Sequence, residues 1–144
     1  MPLKMQGSSM LEVLVTIIIL TIGLTGLASL QAFSINNNST ATMRFNANIY
    51  ASEMMERLKA NRSLAAGQFY NLSLTTPASF TPSTMGKIEN IDRVSWLKSI
   101  DSSLLDAHGA ISCTTDALCT VTIQWNEPNS VSSTAKKIVL EAQL

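Results

Sequence analysis

Val13–Leu30 reads VLVTIIILTIGLTGLASL, a stretch without a charged side chain. Twelve of its residues are aliphatic or Ala, two are Gly, and four carry a hydroxyl: Thr16, Thr21, Thr25 and Ser29. Built as a helix at about 1.5 Å per residue, the stretch spans roughly 27 Å, and Met10 and Leu11 extend it to the ~30 Å hydrocarbon core of a bilayer. The hydroxyls can bond back to carbonyls of their own helix, so they cost little in lipid. The stretch reads as a transmembrane segment or an export signal.

The surrounding composition agrees. The chain has 144 residues, a length that suits one compact domain. Ten basic and ten acidic side chains give a formal net charge of zero, and the mean hydropathy is positive. Charged residues make up 14%, against about 25% in an average soluble protein. The chain is too apolar to be disordered. It is too neutral to bind nucleic acid by neutralising phosphates. The charge deficit is local, because only Lys4 and Glu12 are charged before Arg44.

A cleaved signal peptide is one reading, with Lys4 as its basic end and Gly26-Leu27-Ala28 as a small-x-small cleavage site. Two features oppose it. Glu12 opens the apolar stretch, and a carboxylate costs about 2.5–3.5 kcal/mol at a bilayer centre, less toward its edge. The helical pattern also runs on. No Pro lies between Pro2 and Pro77, and no Gly between Gly26 and Gly67. Met43, Ala47, Tyr50, Met54 and Leu58 share one helix face, while Glu53–Arg57 and Glu56–Lys59 have pairing spacings. Asn36–Thr40 is poor in helix propensity, so the helix could fray or restart there. If continuous from Ser8 to about Arg62, it is roughly 80 Å long. A helix of that length cannot be buried within so small a domain; one half must be covered by lipid or by other copies.

The residues around this stretch resemble type IV pilins and pseudopilins. Gln6-Gly7-Ser8-Ser9-Met10-Leu11-Glu12-Val13-Leu14-Val15 is similar to their leader and mature start. The resemblance implies cleavage between Gly7 and Ser8 by a prepilin peptidase, possible methylation of the Ser8 amine, and Glu12 as the fifth mature residue. Family members usually carry Phe where Ser8 stands. Ile22-Gly23-Leu24-Thr25-Gly26-Leu27-Ala28-Ser29-Leu30-Gln31 and Met55-Glu56-Arg57-Leu58-Lys59-Ala60-Asn61-Arg62 resemble runs of the PilV-type minor pilins. Asp92, Trp96, the two Cys and Val121-Thr122-Ile123-Gln124-Trp125 fit the same pattern. Residues 63–87 match nothing in it.

The implied organisation is a leader over 1–7, a long helix over 8–62 with a transmembrane part at about 10–30, and a globular head over 63–144. The expected fold is α+β and pilin-like. Residues 63–87, rich in Ser, Thr, Gly and Pro, read as a wrapping loop anchored by Phe69, Tyr70, Leu72 and Phe80. Ile88–Leu105 reads as an amphipathic helix with Ile91, Val94, Leu97, Ile100 and Leu104 on its apolar face and Gly109 as a stop signal. Cys119, Val121, Ile123 and Trp125 alternate with polar residues as a half-buried strand. Glu127-Pro128-Asn129-Ser130 reads as a turn, Lys136–Gln143 as a second strand, and Ala110–Cys113 as a short third.

Cys113 and Cys119 are the sole cysteines, and an even count in an exported domain suggests a disulfide. Closing that short loop is worth roughly 2.4 kcal/mol in the chain-entropy model. Two reduced thiols, or a metal site with His108 and Asp116, are the alternatives. His108 reads as a surface or helix-capping residue. Glu89, Asp92, Asp101 and Asp106 read as a solvated helix face. The Met residues read as core filling. No phosphate loop, nucleophile elbow or dinucleotide fingerprint occurs, so no catalytic residue, metal or cofactor is expected.

The resemblance implies that Glu12 of one subunit neutralises the N-terminal amine of a neighbour. An unpaired carboxylate in hydrocarbon is costly, so such pairing would give affinity and axial register. The function implied is that of a minor, structural pilus subunit. Its partners would be the major pilin, other minor pilins, the prepilin peptidase, the inner-membrane assembly machinery and, before assembly, lipid. It would sit in the inner membrane of a Gram-negative bacterium with a periplasmic head, then at the cell surface. The runner-up is a minor pseudopilin of a type II secretion system.

Overall fold

The computed structural model describes residues 8–82, 84, 86–127 and 135–144, with Ser8 and Ser9 described by backbone alone. In chain order the elements are α1 (Ser8–Ala60), α2 (Arg62–Ala66), β1 (Leu72–Thr75), α3 (Ile88–Ser103), β2 (Leu105–Cys113), β3 (Leu118–Asn126) and β4 (Lys136–Gln143). The chain divides into two compact units, one ending at Asn38 and one covering Ser39–Leu144. The expected α+β layout is present: a long apolar N-terminal helix, a further helix and an antiparallel sheet.

α1 runs through Asn36–Thr40 without a break. Poor propensity there costs only tenths of a kcal/mol per residue, and a helix already formed on both sides avoids a second nucleation. It stops at Asn61, whose φ of −116° and ψ of 42° leave the helical region. The short α2 then turns off at Gln68, with φ 61°.

In the unit covering Ser39–Leu144, α1 buries Ala47, Ala51, Met54, Met55 and Leu58, widening the face expected from spacing alone. That face packs into one core with Trp96, Leu97 and Ile100 of α3 and with the inner faces of the strands. On β3, Cys119, Val121, Ile123 and Trp125 are buried, as their alternation requires. On β2 the buried set is Ala107, Ile111 and Cys113, flanking Gly109.

The sheet order is β1-β2-β3-β4, all antiparallel. It therefore has four strands, where the sequence suggested three. The additional strand, β1, lies inside the stretch expected to be loop. Its sequence, LSLT, is too short to carry a visible period. It is held instead by tertiary pairing, as Leu72 faces Ile111 across the ladder. Asn71 extends that pairing with its side chain, accepting from the Cys113 N–H at 2.6 Å and donating to the Cys113 carbonyl at 3.2 Å. β2 is nine residues long rather than four. Cys113 and Cys119 pair directly at its end and are joined by a disulfide.

Five other expectations are corrected. α3 ends at Ser103, and Leu104 is already extended. Gly109 is no helix stop but a mid-strand residue of β2, and His108 lies in that strand instead of at a helix cap. The apolar face of α3 is rotated, so that Ile91 is exposed while Trp96 is fully buried beside Leu97 and Ile100. Of the expected loop anchors, Tyr70 is fully buried and Leu72 and Phe80 are half-buried, but Phe69 is exposed. In the expected turn at 127–130, positions 128–130 lie outside the described residues.

Gly109 is where α3 rests on the sheet. A Cβ there would stand 2.6 Å from Trp96 Cζ3 and 2.9 Å from Leu97 Cδ2. The Trp96 ring cannot easily retreat, because its Nε1–H donates to the Tyr50 carbonyl at 2.9 Å. Gly109→Ala should therefore destabilise the fold by about 1–3 kcal/mol, the usual cost of overpacking a core. Denaturant unfolding of the full chain in detergent, followed by tryptophan fluorescence, measures this; an unchanged midpoint would refute the packing account.

Candidate functional site

Two groups of residues stand out chemically, one in each unit. The first is the helix surface up to Asn38. Successive residues Ile17, Ile18, Ile19 and Leu20 are all exposed. Neighbours on a helix point about 100° apart, so four in a row cover its whole circumference. α1 is long and apolar enough to cross a membrane, and its most apolar window is wholly uncovered by the rest of the chain.

The polar atoms on this surface are satisfied internally. Thr16 Oγ1 donates to the Glu12 carbonyl at 2.7 Å, and Thr21 Oγ1 to the Ile18 carbonyl at 2.8 Å. Thr25 Oγ1 lies 2.8 Å from the Thr21 carbonyl and 2.9 Å from that of Ile22, while Ser29 Oγ donates to the Thr25 carbonyl at 3.0 Å. Each hydroxyl thus spends its proton on its own backbone. Gly23 and Gly26 face open space, so nothing within the chain requires their lack of a side chain.

Glu12 is the one charged side chain between Ser8 and Asn38. It is exposed and has no ion-pair or side-chain hydrogen-bond partner among the described residues. Ser8 is the first residue of α1, and Gly7 lies outside the described residues.

The second group is a polar clamp in the head. Arg57 of α1 donates through Nη1 to Asp92 Oδ1 at 3.1 Å and Ser95 Oγ at 2.7 Å, both on α3, and through Nη2 to Glu53 Oε1 at 2.6 Å. The other Asp92 oxygen accepts from the Tyr70 hydroxyl at 2.6 Å. Asp92 thereby ties α1, α3 and the segment before β1 together. Expected on a solvated face, Asp92 and Glu89 are in fact buried. A carboxylate can be buried when its oxygens are filled by charged and neutral donors. Burial, then the bond to Asp92, holds the Tyr70 hydroxyl above the ordinary tyrosine range.

Beside the clamp, the Arg93 guanidinium lies over Phe80, 5.2 Å from the ring centroid, and donates to the Asn71 carbonyl at 2.9 Å and to Asn90 Oδ1. These contacts fasten Asn71 and Phe80 to α3. A further bond joins α1 to the end of β3: Arg44 Nε and Nη2 reach the two Glu127 oxygens at 2.8 and 3.4 Å. Through it Arg44 holds the Glu127 carboxyl below its ordinary range.

His108 Nδ1 is engaged at 3.0 Å with the Asp106 carbonyl. The Asp116 carbonyl accepts from the Gln143 side chain. Among the described residues no cluster of His, Cys, Asp and Glu is arranged to hold a metal ion. A shallow groove of about 440 Å³ on the outer face of β1–β3 is lined by Asn71, Ser73, Ser112, Thr120 and Thr122 together with aliphatic carbon, without a titratable side chain.

No family model, curated protein or solved structure matches this chain.

The clamp is not legible in the sequence, since its members are far apart: Arg57 reads as a partner of Glu53, Tyr70 as a core anchor and Asp92 as solvated surface. The one available signal was the α3 pattern. A face built on Ile91 leaves Trp96 outside, whereas a face built on Trp96 carries Asp92 inward with it, one helical turn away.

The clamp sets a pH dependence. The folded value of Tyr70 lies above its unfolded value of 10.0. Its contribution is therefore complete below pH ~10 and is lost as pH rises through the folded value. Tyr70→Phe should cost about 1–3 kcal/mol at neutral pH, because Asp92 Oδ2 loses its donor in a buried site. The same variant should lose less stability than the parent between neutral pH and pH ~11. Unfolding midpoints of both proteins across that range check both statements.

Proposed function

We propose that this chain is a minor pilin-like structural subunit for type IV pilus assembly. One observation carries the reading: an apolar helix surface, bare in its own chain and bearing a lone carboxylate at Glu12, precedes a separately packed, disulfide-stapled head. The resemblance of residues 6–15, 22–31 and 55–62 to PilV-type minor pilins supports the same reading.

In this role the helix holds the protein in the inner membrane before assembly, with the head on the periplasmic side. Lys4 and the rest of the leader face the cytoplasm, in keeping with the preference of basic residues for that side. A prepilin peptidase cuts between Gly7 and Ser8, and the Ser8 amine becomes the new terminus, available for methylation. The helix then leaves lipid for a bundle of pilin helices at the cell surface. Satisfied hydroxyls suit both surroundings, and Gly23 and Gly26 allow a neighbouring helix to approach closely. Glu12 loses water and pairs with the terminal amine of an adjacent subunit. The part played by the chain is structural; processing is performed on it by other proteins.

N-terminal sequencing of the protein recovered from membranes tests the processing step. A chain starting at Ser8 supports the proposal, and one starting at Ser29 overturns it. Glu12→Ala should insert and be processed normally but enter filaments at about a tenth of the normal level or less, because a buried amine without its counter-charge is strongly disfavoured. Quantitative immunoblotting of sheared pili reads this directly; normal incorporation would remove Glu12 from the mechanism.

A further inference from the structure

β4 forms one end of the sheet and β1 the other. β1 offers only four residues, whereas β4 offers eight. One row of β4 backbone groups pairs with β3. Among the described residues, no backbone group pairs with the opposite row. An edge of this length is a template for a further strand, and many proteins blunt such edges with charge.

The side chains of β4 do not blunt it against another copy of itself. Ile138, Leu140 and Ala142 point toward the core and pack on it, yet all three remain half-exposed. On the outward face stand Lys137, Val139 and Glu141, with Val139 51% exposed. The two charges are opposite in sign and lie symmetrically about Val139, two residues to either side. A two-fold axis through Val139 therefore places Lys137 of each copy opposite Glu141 of the other, and Val139 opposite its own mate. On the inner face the same register sets Ile138 against Leu140 of the second copy. A register centred on residue 138 or 140 instead sets one of the charges against Val139. An odd offset sets outward side chains against inward ones. Only the centre at Val139 satisfies both the charge pattern and the apolar pattern.

We infer that β4 is an isologous interface through which two copies of this chain dimerise by antiparallel strand pairing centred on Val139. Main-chain hydrogen bonds supply the attraction. The reciprocal Lys137–Glu141 pairs fix the register. The inference does not depend on the function proposed above.

Site-directed cross-linking of the full chain in detergent, with copper-phenanthroline as oxidant, tests it. The native cysteines do not interfere, being bonded to each other. Val139→Cys should give a disulfide-linked dimer, because directly opposed Cβ atoms lie about 4.5–5.5 Å apart. Lys137→Cys alone should not, since the register holds its two copies roughly 13 Å apart along the strands. A mixture of Lys137→Cys and Glu141→Cys chains should cross-link. Adding Lys137→Glu to Val139→Cys should lower the yield about five-fold or more by making both charge pairs repulsive, and adding Glu141→Lys as well should restore it. A folded Val139→Cys protein, judged by its buried tryptophans, that gives no dimer overturns the inference. Equal yields from Val139→Cys and Lys137→Cys, or indifference to the charge reversal, overturn it too.

Discussion

The controlling constraint is desolvation along a single helix. α1 comprises 53 residues, and two different solvents are implied by its two ends. From Ala47 to Leu58 the head covers one apolar stripe, made by Ala47, Ala51, Met54, Met55 and Leu58, and leaves Ile49 exposed. Over Ile17–Leu20 every direction is apolar and the chain supplies no cover. Because an α-helix satisfies its own backbone, it can pass from one regime to the other without exposing a broken hydrogen bond. A strand or a loop could not.

Within the head, the same accounting of polar atoms explains why the small sheet is sufficient. Four strands with one apolar face do not make a core unaided. α1 and α3 supply the opposing surface, and Asp92 fixes them to each other and to the chain entering β1. Its two oxygens take donors from Arg57 and Tyr70, so a group that is normally a liability when buried becomes a joint between three elements. The disulfide closes the turn end of the β2–β3 hairpin, and the Arg44–Glu127 pair ties its other end to α1.

Much of this was legible in the sequence, for identifiable reasons. The long helix announced itself by missing charges and by the Met43–Leu58 spacing. β3 and β4 did so by strict alternation, and the disulfide by an isolated pair of cysteines. The failures share a cause as well. β1 and the full length of β2 depend on pairing between segments, and Gly109 reads as punctuation in the sequence because its packing partner, Trp96, belongs to another element. Asp92 looked like solvated surface because nothing local reveals a partner 35 residues away. Of the candidate site, the apolar surface and Glu12 could be read directly, since both are properties of consecutive residues.

The internally bonded hydroxyls of Thr16, Thr21, Thr25 and Ser29 have a mechanical consequence. With their protons turned inward, the helix presents almost nothing but carbon to whatever surrounds it. Contacts between carbon surfaces lack the directionality of hydrogen bonds, so the shape fit of side chains rather than polar pairing governs how such a helix seats against a neighbour. Polar direction along this part of the axis is left to Glu12, the one charged side chain between Ser8 and Asn38.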